Sequence, residues 1–133
     1  MNKLLKISER NRADLCQLLP NEHCTNKLAV YFQNFADQTR IKILSALSIK
    51  DLCVNDLSKI LNINQTTLSH QLKTLKDQDL VDYVREGKIL IYRLKSSLVN
   101  DMMMYAVKEL RLWLIFTYSF TLKEKLDKWL KNH

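Results

Sequence analysis

Apolar residues recur at the spacing of a helix face in four stretches of the chain. Asp37 stands just before the second of these stretches and Asn64 just before the fourth, where each can cap the N-terminus of a helix. The pattern predicts one helix after Pro20, one from about residue 38 to Ser48, one over residues 55–61 and one that starts after Asn64. The four apolar stripes are Leu28, Phe32 and Phe35; Ile41, Leu44 and Leu47; Leu57, Ile60 and Leu61; and Leu68, Leu72 and Leu75.

The apolar period changes from helical to alternating after Leu80. Val81, Tyr83 and Arg85 alternate with other residue types up to Gly87, and a run of β-branched and aromatic residues follows. This is the pattern of a β-hairpin, with Gly87 supplying the positive φ that its turn needs. The sequence therefore predicts a mainly α protein with a small β-hairpin (α+β), in the order of a winged helix-turn-helix.

The predicted organisation is a single domain over residues 1–133, with no linker that would divide it. Residues 1–21 form an N-terminal arm that is partly helical, residues 55–77 the helix-turn-helix, and residues 80–94 the wing. A long C-terminal helix is predicted over residues 96–131, and its aromatic stretch around Leu112–Phe120 fits a dimer interface.

Composition narrows the function. The chain has 133 residues and one glycine, so it cannot build the glycine-rich loops that cradle phosphates in nucleotide-binding enzymes. Its formal charge of +7 suits a polyanionic partner. The sequence predicts no signal peptide and no apolar run of membrane-spanning length, and the three cysteines suit a reducing compartment. These features predict a cytoplasmic protein with no membrane partner and no enzymatic activity.

The predicted helix-turn-helix carries the candidate DNA contacts. In this motif the second helix lies in the major groove of double-stranded DNA, and amide, hydroxyl and basic side chains contact its bases and phosphates. A polar helix face is often only a solvated surface, but here it stands between a capped turn and a basic hairpin. The candidate contacts are Gln65, Thr66, Thr67, Ser69, His70, Gln71 and Lys73 on the helix, with Arg85 and Lys88 on the wing.

Residues 35–94 resemble the ArsR/SmtB family of bacterial regulators. The matching segments are ADQTRIKIL, DLCVNDLS, TTLSHQLKTL and the wing pattern REGK-x-x-x-Y-x-L, with Gln38 standing where the family usually has proline. The resemblance implies a homodimer, paired through its first and last helices, that represses an operon until an effector releases it from its DNA operator.

The resemblance also implies a metal site. Cys53 and Asp56 match the single-cysteine version of the family motif, while Asn55 takes the place of a second cysteine. Ligands from the partner's N-terminal arm complete such sites, and the arm residues Cys16, His23 and Cys24 could supply them around a Zn or Cd ion. The alternatives stay open: Cys53 also suits a small buried apolar residue, and Asp56 a helix N-terminus.

Other signals remain compatible with the sequence. The family's second metal site, on the C-terminal helix, requires an aspartate, two histidines and a further carboxylate at fixed helical spacing. The positions of these ligands are taken here by Ser96, Leu98, Glu109 and Leu112, so this site is excluded. A hydrophobic effector among the C-terminal aromatic residues, or oxidation of cysteines, could replace metal as the signal. A winged-helix module that binds another protein instead of DNA is the alternative from a different functional class.

Overall fold

A computed structural model of the protein describes residues 6–112 and 131–132. The chain divides into two units, Met1–Gln33 and Asn34–His133. The single domain expected from the sequence, with its arm over residues 1–21, stays a prediction. Within the described residues, no helix combines the length and the hydropathy that crossing a lipid bilayer requires.

The first unit contains two helices, α1 (Glu9–Leu18) and α2 (Glu22–Gln33). Ser8 caps α1 by accepting a 3.2 Å hydrogen bond from the backbone N–H of Asn11. Asn21 begins α2 in the same way, since its side-chain oxygen accepts from the N–H of Cys24 at 2.8 Å. The helices before and after Pro20 are thus confirmed, although Phe35 lies beyond the end of α2.

The second unit begins with α3 (Gln38–Ile49), followed by strand β1 (Leu52–Cys53), α4 (Val54–Leu61) and α5 (Gln65–Asp77). The two predicted caps are confirmed: Asp37 accepts from the N–H of Arg40 at 2.9 Å, and Asn64 accepts from the N–H of Thr66 at 2.7 Å. Asn62 ends α4 in the left-handed conformation, with a φ of 53°. Asparagine tolerates the left-handed conformation better than most residue types, so the residue at this position itself favours the turn between α4 and α5.

The wing consists of β2 (Val81–Glu86) and β3 (Ile89–Leu94), which pair antiparallel. Gly87 has a φ of +62° in the turn between them, as the hairpin pattern predicts. The sheet has a third strand, because Leu52 and Cys53 of β1 pair with Tyr92 and Ile91 of β3. The predicted hairpin is confirmed, but the sequence did not predict the third strand of the sheet. A strand of two residues is too short to show an alternating pattern.

The core of the second unit lies between α3, α4, α5, the wing and the helix after it. Leu57, which α4 contributes, is fully buried, and so are the three leucines of the α5 stripe. Two residues expected to point inward do not: Ile41 is 38% exposed and Ile60 is 61% exposed. The buried face of α3 is turned towards Ile43 and Leu44 instead, and Leu61, at the end of α4, is half-buried.

The helix after the wing, α6, spans Ser97–Glu109 and is capped by Ser96, which accepts from the N–H of Leu98 at 3.1 Å. Arg111 then adopts a φ of 55°, a conformation that a helix cannot contain. The helix predicted over residues 96–131 is thus interrupted after Glu109. The remainder of the predicted helix, residues 113–130, lies outside the described residues, and so do the aromatic residues in that range.

Candidate nucleic-acid interface and effector site

Helix α5 presents a polar face to solvent. Its buried leucines, Leu68, Leu72 and Leu75, anchor one side against the core and fix which residues point outward. Six of the seven predicted contacts on this helix are exposed, and the seventh, Gln71, is half-buried. The exposed residues are Gln65, Thr66, Thr67, Ser69, His70 and Lys73.

Gln65, the first residue of α5, is linked to α4. Its side-chain nitrogen donates a 2.9 Å hydrogen bond to the side-chain oxygen of Asn55. Both residues are exposed, so the link lies on the surface at the end of α5 that begins with the Asn64 cap. The bond orients the Gln65 amide and leaves its carbonyl oxygen available as an acceptor.

Gln71 is held by Arg40, a residue for which the sequence pattern predicts no role. Arg40 Nε donates to Gln71 Oε1 at 2.8 Å, and a terminal nitrogen of the same guanidinium donates to Asn34 Oδ1 at 3.1 Å. Asn34 is only 1% exposed, so this guanidinium joins a buried side chain to α5. Nothing in the local pattern indicated the contact, because 31 positions separate Arg40 from Gln71.

The wing places two basic residues close to its turn. Arg85 lies near the end of β2 and Lys88 follows Gly87, and both are exposed. The base of the wing is fixed to α5 by Tyr83, since the Lys76 ammonium lies 4.9 Å from the centroid of its ring. Tyr83 also packs against Tyr92, with ring centroids 5.5 Å apart, and burial raises the pKa of Tyr92.

A second link closes the base of the wing. Lys95 Nζ donates to Asp79 Oδ1 at 2.8 Å, and the backbone N–H of Lys95 donates to the carbonyl of Leu80 at 3.1 Å. The hydrogen bond and the charge of Lys95 lower the pKa of Asp79, while the same contacts raise the pKa of Lys95. Asp79 has a φ of 61° and turns the chain from α5 into β2.

Cys53 and Asp56 form the one predicted metal-ligand pair that lies within the second unit. Cys53 belongs to β1 and immediately precedes α4, and its Sγ donates to Asp56 Oδ2 at 3.2 Å. Cys53 is half-buried and Asp56 is exposed. The sulfur and the oxygen are close enough for one ion to bind both, because zinc contacts such ligands at about 2.0–2.3 Å.

The other predicted ligands lie in the first unit. Cys16 is on α1, and His23 and Cys24 are in the first turn of α2; all three are exposed. In the part of the chain that the structure describes, no group of three or more histidine, cysteine, aspartate or glutamate side chains is assembled as a metal site.

Comparison with known proteins identifies the relatives of this chain. The model of a protein family described as "Bacterial regulatory protein, arsR family" matches residues 37–83 of this chain. A cadmium resistance transcriptional regulatory protein CadC homolog from Staphylococcus aureus is 33% identical over 94 residues, which cover 70% of this chain and 74% of that protein. A transcriptional repressor SmtB homolog from Synechocystis is 36% identical over 76 residues. That match covers 57% of this chain and 58% of the relative, less than two thirds of its length.

Solved structures show the same fold. A homodimeric winged helix-turn-helix DNA-binding domain from Mycobacterium bovis, described as a possible ArsR-family transcriptional regulator, superposes with a TM-score of 0.59 at 25% identity. The superposition covers 83% of this chain and 94% of that one.

The fold and the polar face of α5 beside a basic wing define a winged helix-turn-helix protein, a class that reads DNA with the second helix of the motif. The extent of the match to the CadC homolog makes the assignment more specific. The chain belongs to the ArsR family of bacterial regulatory proteins.

Proposed function

We propose that this protein is a cytoplasmic, homodimeric transcriptional repressor that binds its operator through α5 and the wing and is released by an effector. The observation that carries the proposal is the arrangement of α5, whose buried leucines turn a face of amides and hydroxyls outward beside the wing. Amide side chains can pair with adenine and hydroxyls with bases or phosphates, while lysine and arginine neutralise phosphates.

Each part of this surface has a separate role in the proposal. Gln65, Thr66 and Ser69 read bases, and Thr67, His70 and Gln71 support the contact from the same helix. Lys73 contacts phosphate, as do Arg85 and Lys88 on the wing. Arg40 positions α5 because its guanidinium already holds the Gln71 carbonyl oxygen at 2.8 Å.

The test compares specific with non-specific binding. We expect a variant with Gln65, Thr66 and Ser69 replaced by alanine to lose affinity for a duplex from upstream of its own gene. Each lost base contact costs about 1–3 kcal/mol of discrimination, so the affinity for an unrelated duplex should fall much less. Fluorescence anisotropy measures both. Equal losses on the two duplexes, or no DNA binding by the unsubstituted protein, would contradict the proposal, the latter result favouring a protein-interaction module.

A dimer is supported by the exposed apolar residues of the first unit. Among the described residues, Leu15, Leu18, Leu28 and Phe32 are each about half exposed or more, and an apolar surface of this kind favours an interface with a partner. The M. bovis winged helix-turn-helix domain described above is homodimeric. Analytical ultracentrifugation of the full chain tests the assignment, and a monomer at micromolar concentration would refute it.

For the effector, we propose a soft divalent metal ion, Zn or Cd. Cys53 and Asp56 would hold the ion, and ligands drawn from Cys16, His23 and Cys24 in the arm of a second protomer would complete a tetrahedral set. Thiolate, imidazole and carboxylate form a set that such ions accept, and the 3.2 Å separation of Cys53 and Asp56 supports it. The bound ion would supply a link between the arm and the start of α4. Three regulators named for cadmium resistance are among the relatives.

The metal proposal has a readout that does not depend on DNA. Cd titrated into the reduced protein should produce the ultraviolet absorption of a cadmium–thiolate bond, and Cys53→Ser should weaken it. The same substitution should leave DNA affinity intact but abolish release by metal. If Cys53→Ser still responds to metal, the site lies elsewhere. If the unsubstituted protein ignores metal, a hydrophobic effector or thiol oxidation takes its place.

A further inference from the structure

An apolar groove lies on the surface of the second unit, between α3 and α4, and no residue of α5 lines it. Its volume is about 350 Å³. That volume falls at the lower end of the range for small-molecule sites, about 300–1,000 Å³. Its apolar lining consists of Ala46, Ile49, Leu52, Ile60 and Leu61.

The lining is unusual because its isoleucines face water. Ile60 is 61% exposed and Ile49 is 45% exposed, although Leu57 of the same helix as Ile60 and Leu47 of the same helix as Ile49 are buried in the core. Ile60 follows the helical spacing of the buried stripe and was expected inside from the sequence. The structure uses it as one wall of the groove instead. An apolar wall of this kind favours an apolar ligand, since covering it removes hydrocarbon surface from water.

Two lysines complete the groove. Lys42 lies on α3 and Lys50 at its C-terminal cap, and both line the apolar floor. Lys50 stands eight positions after Lys42, which corresponds to about 12 Å along the axis of α3 at 1.5 Å per residue. In the described part of the chain, neither lysine is ion-paired with a carboxylate. The groove therefore combines an apolar surface with two positive charges and has no acidic group in its lining.

From this juxtaposition we propose that the groove is a binding site for a small amphipathic anion, a carboxylate with an apolar tail such as a medium-chain fatty acid. The tail lies against Ile49, Leu52 and Ile60, and the carboxylate is bound by Lys42 or Lys50. The charge of the rim selects an anion over a neutral or cationic amphiphile, and the small volume selects a short tail over a membrane lipid.

The site also has a route to the DNA-binding surface. Leu52 belongs to β1, which pairs with β3 of the wing, and Ile60 and Leu61 end α4, the first helix of the motif. A ligand in the groove contacts both and changes the affinity for DNA. This consequence, unlike the binding site itself, rests on the proposed function.

Isothermal titration calorimetry on the reduced full chain tests the site without DNA. Hexanoate, octanoate and decanoate, each below its micelle concentration, should bind with affinities that rise about twofold to fourfold per methylene. Decanoate should bind more tightly than decanol, and its affinity should fall as salt rises. Equal affinities for decanoate and decanol, or no binding of decanoate, would overturn the proposal.

Matched variants locate the ligand. Lys42→Glu or Lys50→Glu should weaken decanoate binding about fivefold, because reversal replaces a surface attraction with a repulsion of similar size. Lys108→Glu, an exposed lysine of α6, should change nothing. Ile60→Ser should weaken binding, whereas Leu98→Ser, at a residue 57% exposed, should not. Binding that neither lysine substitution alters would overturn the site. A shift of Ile60→Ser to a smaller species in the ultracentrifuge would show instead that a second copy covers the groove.

Fluorescence anisotropy with DNA separates the two claims. A change in DNA affinity on adding decanoate, lost in Ile60→Ser, supports the regulatory role. Calorimetric binding without any change in DNA affinity refutes that role and leaves the site standing. If the protein binds no DNA at all, the proposed function fails, while calorimetry still decides the site.

Discussion

Arg40 connects three parts of the second unit through one guanidinium group, and its removal is expected to loosen α5. The substitution is Arg40→Met, which keeps the aliphatic stem and the helix propensity of the residue. It removes the 2.8 Å bond to Gln71 and the 3.1 Å bond to Asn34. The backbone N–H of Arg40 still donates to Asp37, so the cap of α3 is retained.

The magnitude follows from the surroundings of the two bonds. Hydrogen bonds from charged donors contribute about 1.5–3 kcal/mol each when buried, and half-burial of Arg40 reduces this to about 1 kcal/mol each. The expected loss in unfolding free energy is therefore about 2 kcal/mol. With a urea dependence of about 2 kcal/mol per molar, the midpoint of unfolding should fall by about 1 M.

The assay is urea unfolding followed by circular dichroism at one fixed protein concentration, because a dimer gains apparent stability with concentration. Lys42→Met, at an exposed position on the same helix, is the control and should shift the midpoint very little. A double-mutant cycle with Gln71→Ala should give a coupling energy of about 1 kcal/mol for the Arg40–Gln71 pair. Equal midpoints for Arg40→Met and Lys42→Met, or a coupling energy near zero, would refute the reasoning.

Three further predictions concern the turns around α5 and the wing. Asn64→Ala should cost about 1 kcal/mol in urea unfolding because the N–H of Thr66 loses its cap, and Asn64→Ser should recover most of the loss, so equal effects of the two would count against the cap. Gly87→Ala should lower the melting temperature through a backbone strain of about 1–2 kcal/mol at the positive φ, because the added carbon has no atom within 4 Å to clash with. Gly87→Asn should lower the melting temperature less, and the reverse order would be evidence against strain. Asp79→Asn should lower the free energy of unfolding most near neutral pH, where Asp79 is ionised and Lys95 protonated. Because the pKa of Asp79 is lowered in the folded state, the difference from the unsubstituted protein should disappear as the pH falls through that lowered pKa. A pH-independent difference would contradict the ion pair.

Much of the fold is encoded in local patterns, and those parts were predictable from the sequence. Asp37 and Asn64 are caps whose side chains satisfy backbone N–H groups within three residues, and Gly87 is a turn residue whose conformation is intrinsic. The leucine stripe of α5 is also fully buried, as its spacing predicts. Each of these features depends on a few neighbouring residues.

The features that escaped prediction depend on contacts distant in sequence. Strand β1 has two residues and exists because β3 pairs with it across about 40 positions of the chain. The Arg40–Gln71 bond joins two helices, and Ile60 faces a groove although its spacing suits the core. Periodicity assigns residues to a helix face but does not say how far the neighbouring helix covers that face. The left-handed Arg111, which ends α6, had no glycine to mark it.

The central claim is that α5 and the wing form a DNA-binding surface, and the salt dependence of binding tests it most directly. The measurement is fluorescence anisotropy of a labelled duplex with the reduced full chain over a series of salt concentrations. Each neutralised phosphate adds about 0.9 to the slope of log affinity against log salt. A variant with Lys73, Arg85 and Lys88 replaced by alanine should lower the slope by up to about three such increments per protomer. A control variant with alanine at Lys42, Lys50 and Lys108 should leave the slope almost unchanged. An affinity that does not respond to salt, or an equal slope for both variants, would contradict the account.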